Sequence, residues 1–74
     1  MSSLTRGQRA RIERLDGAEA LTRKLLEMGV EEGQEVMLMH KGPLGGDPLA
    51  FRLGDRTIAL RRRDASHVLV ELVA

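Results

Sequence analysis

The sequence predicts a mainly β fold, a small, strongly bent sheet or partly closed barrel of about five strands with one helix inserted between the first and second. Three observations carry that expectation. Only one stretch, residues 21–33 (LTRKLLEMGVEEG), has a convincing helical period: Ala18, Leu21, Leu25 and Met28 fall at intervals of three, four and three and so share one stripe. Most of the remaining chain divides into five short strand-like stretches, several of them alternating with the period of two of a half-buried strand. Between the third and fourth stands Gly54-Asp55, a two-residue hairpin turn in which glycine supplies a positive φ. Closing the sheet suits so short a chain because it leaves few open edges.

Taken in order, residues 1–7 are a lead-in with Leu4 as anchor. Residues 9–15 (RARIERL) form the first strand, Ala10 and Ile12 inward and Arg9, Arg11 and Glu13 outward. Asp16 followed three residues later by Glu19 has the pattern of a capping box at the helix start. Gly29 marks the stop, and residues 30–33 connect onward. Residues 34–40 form a strand that is apolar on both sides, with Val36 and Leu38 on one face and Met37 and Met39 on the other. Residues 41–48 (KGPLGGDP) hold three glycines and both prolines and are expected to form a loop. Leu49, Phe51 and Leu53 then point inward, as do Ile58 and Leu60 on the return strand, residues 57–61. Residues 62–66 make a single 3₁₀ turn. The last strand, residues 67–73, turns Val68, Val70 and Leu72 inward.

Composition narrows the function. Residues 1–74 make one domain, near the lower end of what a single core holds together and with little room for a deep active site. Phe51 is the single aromatic residue, so Leu, Val, Ile and Met build the core. The absence of cysteine removes disulfides and thiolate chemistry and fits a reducing, cytoplasmic setting. The start, MSSLTRG, has no apolar region resembling a signal peptide, and the longest apolar run, residues 36–39, falls far short of the ~20 residues that span a bilayer. Net charge is +1, but residues 1–24 carry +3, residues 25–39 carry −4 and residues 40–74 carry +2. That acidic saddle between basic flanks is not the one-signed footprint of a nucleic-acid binder.

No set of residues reads as catalytic. Ser66 and His67 are adjacent, so on a strand their side chains point to opposite faces. The chain is therefore not expected to be an enzyme. His40 and His67 are the two imidazoles; they have no local ligand spacing and read as exposed or edge residues, with a metal site built from them and a carboxylate as the alternative. Glu27, Glu31, Glu32 and Glu35 lack the pattern of a calcium loop and read as a solvated acidic surface. The glycines after Lys41 match neither the Walker nor the dinucleotide pattern. Arg61, Arg62 and Arg63 are a basic patch without the aromatic platforms of a nucleic-acid surface. Met37 and Met39 are either covered by a helix or loop or form an adaptable, polarizable contact surface.

Leu4 and Gly7, RKLLEMGVEEGQEV at residues 23–36, GPLGGDPLAFRL at residues 42–53 and IALRRRDASHVLVE at residues 58–71 together resemble the ferrous iron transport protein A (FeoA) family over nearly the whole chain. Asp64 stands where glutamate is common in that family, and Gly42 where alanine is frequent. The resemblance implies an SH3-like barrel and a cytoplasmic, non-enzymatic accessory protein without cofactor. It implies a partner as well, the ferrous iron transporter B (FeoB), a membrane protein with a cytosolic GTP-binding domain, so that the chain is peripheral to the membrane through that protein. A related SH3-like domain ends certain metal-dependent repressors, but no helix-turn-helix segment is present here. The expected docking surface comprises Met37, Met39, Lys41, Gly42, Pro43, Leu44, Gly45, Gly46 and Asp47. Self-association is left open, no nucleic-acid partner is expected, and a small metal-binding chaperone or sensor using histidine and carboxylate ligands is the alternative.

Overall fold

The computed structural model describes residues 1–73. Strand β1 (Arg9–Leu15) leads into helix α1 (Glu19–Glu27), followed by β2 (Glu35–Gly42), β3 (Gly46–Leu53), β4 (Arg56–Leu60), the short helix α2 (Arg62–Ala65) and β5 (Val68–Leu72). All neighbouring strands are antiparallel, in the order β4-β3-β2-β1-β5. The fold is mainly β with its helix between the first two strands, as the sequence predicts. The ladder stays open, with β4 and β5 as its edges.

The core lies on one face of this sheet. Phe51, Ile12, Leu25, Leu38, Leu49, Leu53, Val30, Val36 and Val68 are its largest fully buried side chains. Alternation explains most of them: Val36 pairs with Leu53 and Leu38 with Phe51, so the inward positions of β2 and β3 face each other across the ladder. Helix α1 covers this face with Leu25, flanked by the partly buried Leu21 and Met28. The helix ends in a Schellman motif: Val30 N–H donates to Leu25 O at 2.9 Å and Gly29 N–H to Leu26 O at 3.0 Å, with Gly29 at φ +90°. Val30 and Leu25, bonded in that motif, are both buried, which ties the helix end to the core.

Five expectations are corrected. The helix starts on Ala18 with no side-chain cap; the Asp16 carboxylate lies instead 3.3 Å from Nδ1 of His67, on the strand side of the connection. Ala18 is consequently exposed and outside the apolar stripe. Residues 41–48 are not one loop, because β2 runs on through Gly42 and β3 begins at Gly46, leaving residues 43–45 as the tip of a hairpin. Residues 62–65 are α-helical rather than 3₁₀, since Ala65 and Ser66 donate to Arg61 O and Arg62 O, four residues back. Leu72 is 58% exposed although its ladder partner Ala10 is fully buried, because β5 is an edge strand with no neighbour on its outer side.

A register shift between Leu38 and His40 leaves Met39 without a ladder partner. Met37 pairs with Arg52 and His40 with Ala50, so the outer-face position that follows Met37 belongs to His40. The lead-in braces this bend, as Gly7 N–H donates to Leu38 O at 2.8 Å.

Candidate functional site

Two surfaces are built from the residues that the sequence singled out. The first is the outer face of the sheet. Arg9, Met37 and Arg52 stand side by side on β1, β2 and β3, placing an apolar side chain between two guanidinium groups. With Glu35, Val36 and Gly54 they line an open depression of about 430 Å³. One Arg9 nitrogen lies 3.3 Å from a Glu35 carboxylate oxygen, and Arg52 Nε donates to Gly54 O at 3.0 Å, which holds both stems in place. Met37 and Met39 are each half-buried.

The second surface is the β2–β3 hairpin. Leu44 and Asp47 bond to each other through their backbones, Leu44 N–H to Asp47 O at 3.4 Å and Asp47 N–H to Leu44 O at 3.2 Å, which closes the tip. At its base the two strands approach so closely that a Cβ on Gly42 would stand 2.5 Å from Asp47 O, so a side chain there would require the strands to shift apart. Asp47 Oδ1 accepts from the Arg62 amide at 2.8 Å and so caps the start of α2 from outside the helix. The Arg62 guanidinium passes over Gly46 and donates to Ser2 O at 3.2 Å and Gly46 O at 3.4 Å, tying the lead-in, the hairpin and α2 together. Gly42, Gly46 and Asp47 are thus half-buried and engaged within the molecule, whereas Lys41, Pro43, Leu44 and Gly45 are exposed, Leu44 by 75%.

Sequence reasoning placed turn chemistry in this segment but missed the clamp. Asp47 and Arg62 are 15 residues apart, and no local pattern announces their pairing. An aspartate within the turn segment, followed 15 residues later by an arginine run, was the one available signal.

The structure does not bring the histidines together. His40 sits on β2 opposite Ala50 and is exposed, while His67 precedes β5 and contacts Asp16. Among the described residues no group of three or more histidine, aspartate or glutamate side chains could hold a metal ion. Glu27, Glu31, Glu32 and Glu35 are all exposed. The Ser66 hydroxyl donates to Arg63 O at 2.6 Å, ending the short helix rather than facing a base. Among the described residues no helix is long and apolar enough to cross a membrane.

A single antiparallel sheet, covered on one face by a short helix and presenting a clamped, projecting hairpin, defines a small β module of the SH3-like kind. The model of the FeoA domain matches residues 1–72, and the chain belongs to the FeoA family. It is 35% identical over all 74 residues to part of a Fe(2+) transport protein A/Fe(2+) transporter FeoB fusion protein of Porphyromonas gingivalis, of which it spans 9%. Among solved structures it is similar to iron(II) transport protein A of Clostridium thermocellum, with 41% identity and a TM-score of 0.91, covering 99% of this chain and 44% of that one. It is also similar to the zinc-complexed FeoA of Stenotrophomonas maltophilia, described as a prokaryotic SH3 domain protein, with 37% identity and a TM-score of 0.82, covering 95% of this chain and 86% of that one. The chain therefore spans less than half the length of the first two of these relatives.

Proposed function

We propose that this chain is a non-enzymatic accessory module of ferrous iron uptake that docks on the cytoplasmic side of a FeoB-type transporter and modulates it. The observation that carries this reading is the Porphyromonas gingivalis relative, in which a segment matching this whole chain is covalently joined to a FeoB transporter. Fusion places two domains at high effective concentration, which is useful where the separate chains must meet. The contact surface in this reading is Met37, Met39 and the hairpin of residues 41–47, with Lys41, Pro43, Leu44 and Gly45 facing the partner and Gly42, Gly46 and Asp47 holding them in position.

An amide chemical-shift titration with the transporter's soluble GTP-binding domain, run with a GTP analogue and with GDP, tests it. Shifts confined to residues 36–47 are expected, and a difference between the nucleotides would add regulation to docking. Absence of any shift at high concentration overturns docking on that domain.

A second reading, metal binding, is favoured by the zinc complex of the Stenotrophomonas maltophilia relative and by the Asp16–His67 contact. It requires equilibrium dialysis to show sub-micromolar uptake of ferrous iron that is lost when both histidines are replaced. Retention of no metal by the unaltered chain discards it.

A further inference from the structure

We propose that the tip of the β2–β3 hairpin seats directly on an anionic lipid surface, Leu44 entering the headgroup layer while Lys41, Arg61 and Arg62 meet the lipid phosphates. This rests on the docking reading and extends it, since a tip that faces a membrane transporter also lies beside the lipid around that transporter.

The first observation is the placement of Leu44. At 75% exposure it is more open than Leu72 or Leu26, the other large exposed apolar side chains. It stands on a closed tip between exposed Pro43 and Gly45. The second is the company it keeps. The Arg62 guanidinium and the Lys41 stem converge on Gly46, 2.7 Å and 3.7 Å from where a Cβ would stand. Arg61 directly precedes the amide that Asp47 binds, and exposed Arg63 follows it. The ion pairs among the described residues are Arg9–Glu35, Arg23–Glu19, Lys24–Asp64 and His67–Asp16, so Lys41, Arg61, Arg62 and Arg63 have no carboxylate at ion-pair distance. Asp47, the acid at the hairpin base, is turned to the α2 amide.

The third observation is the charge around β2. At its start the exposed Glu35 has Arg11 as ladder partner and Arg9 at ion-pair distance, with Arg52 beside them, so acid and base offset each other there. At the hairpin end Lys41 and the arginines of residues 61–63 lack such carboxylate partners among the described residues, and a negatively charged surface is drawn to that unbalanced end. A protruding apolar residue on the same hairpin as a free lysine, with an arginine run packed at its base, is a pattern suited to interfacial lipid binding. An acidic peptide would instead need a groove, and the open depression among Arg9, Glu35, Met37, Arg52 and Gly54 lies toward the other end of β2.

Co-sedimentation of the full chain with vesicles of phosphatidylcholine alone, and of phosphatidylcholine mixed with phosphatidylglycerol, tests the proposal. Binding is expected with the mixed vesicles only and is lost at about 0.5 M salt, where screening shortens the reach of surface charge to a few ångströms. Lys41→Gln with Arg61→Gln lowers partitioning roughly 25-fold, about fivefold for each cation at the surface. Leu44→Ser weakens it several-fold, whereas Leu26→Ser on α1 leaves it unchanged. Arg62 is kept because it also holds Ser2 and Gly46, and circular dichroism of each variant verifies folding. Failure to sediment with either vesicle, or binding by the Leu44 and Lys41/Arg61 variants equal to that of the unaltered chain, overturns the proposal. So does binding of a polyglutamate peptide without binding to vesicles, which turns the patch toward an acidic protein. The vesicles contain no protein, so failure here leaves transporter docking standing, and failure of the titration leaves lipid seating standing.

Discussion

Leu25 and Leu44 are the same side chain in opposite situations, 0% and 75% exposed. Removing the Leu25 branch leaves a hole between α1 and the sheet, so Leu25→Ala should lower unfolding free energy by about 2–5 kcal/mol, whereas Leu44→Ser should stay within about 0.5 kcal/mol of the unaltered chain. Denaturant midpoints decide it, and equal losses would mean that the hairpin tip is packed in solution. Gly29 poses a subtler question, because two features oppose a side chain there: φ is +90°, and the Arg56 guanidinium occupies the space of a Cβ. Arg56 is the far end of an exposed, flexible side chain and can swing away. The left-handed backbone cannot, so Gly29→Ala should cost about 1–2 kcal/mol by forcing a Cβ into that conformation. The same cost is expected in an Arg56→Ala background. A double-mutant cycle with large coupling would show that guanidinium packing, not backbone conformation, selects glycine.

At the level of elements, the hairpin and α2 are joined because Asp47 caps the short helix. A four-residue helix gains little from its own hydrogen bonds, so an acceptor supplied from elsewhere matters more than its propensity. Asp47→Ala should therefore destabilise the chain by about 1–2 kcal/mol, and Asp47→Asn, which keeps an acceptor oxygen, by less. In hydrogen exchange the Arg62 amide should lose protection in the alanine variant while amides of β1 keep theirs; unchanged protection at Arg62 would remove Asp47 from this role. Local pattern was enough to find the five strands, the single long helix and the Gly54-Asp55 turn, since alternation and glycine act within a few residues. It failed at Asp16, whose capping pattern is genuine chemistry but whose carboxylate turns to His67 across 51 residues. It failed again at Leu72, where alternation reports a face of the strand but not whether anything covers that face. Met39 escaped for a third reason, because a register shift is set by both strands and the lead-in together. Among the residues expected to dock, the division into outward Lys41, Pro43, Leu44 and Gly45 and inward Gly42, Gly46 and Asp47 depends on Arg62, which no local reading reaches.

For the whole molecule, the two ends of the fold are joined through the lead-in. Met1 and Leu4 are buried in the core, and the Met1 ammonium donates to Val68 O on β5. Burial disfavours the charged amine, holding its pKa below the ordinary value of 8.0. In the unfolded chain the amine returns to that ordinary value, so between the lowered folded pKa and pH 8 unfolding takes up a proton. Stability must then rise with pH across that window, the cost of burying the charge being complete below the folded pKa and gone once both states are neutral. For the chain with a free Met1 amine, thermal midpoints should climb with pH below the ordinary value of 8.0 and level off above it. The informative comparison is with the chain acetylated at Met1, which is otherwise identical and has no Met1 amine to titrate. Subtracting the two profiles should leave a rise with pH that belongs to the amine alone. Parallel profiles would show that the ammonium remains solvated and that the lead-in is held to β5 by Met1 and Leu4 packing without help from its charge.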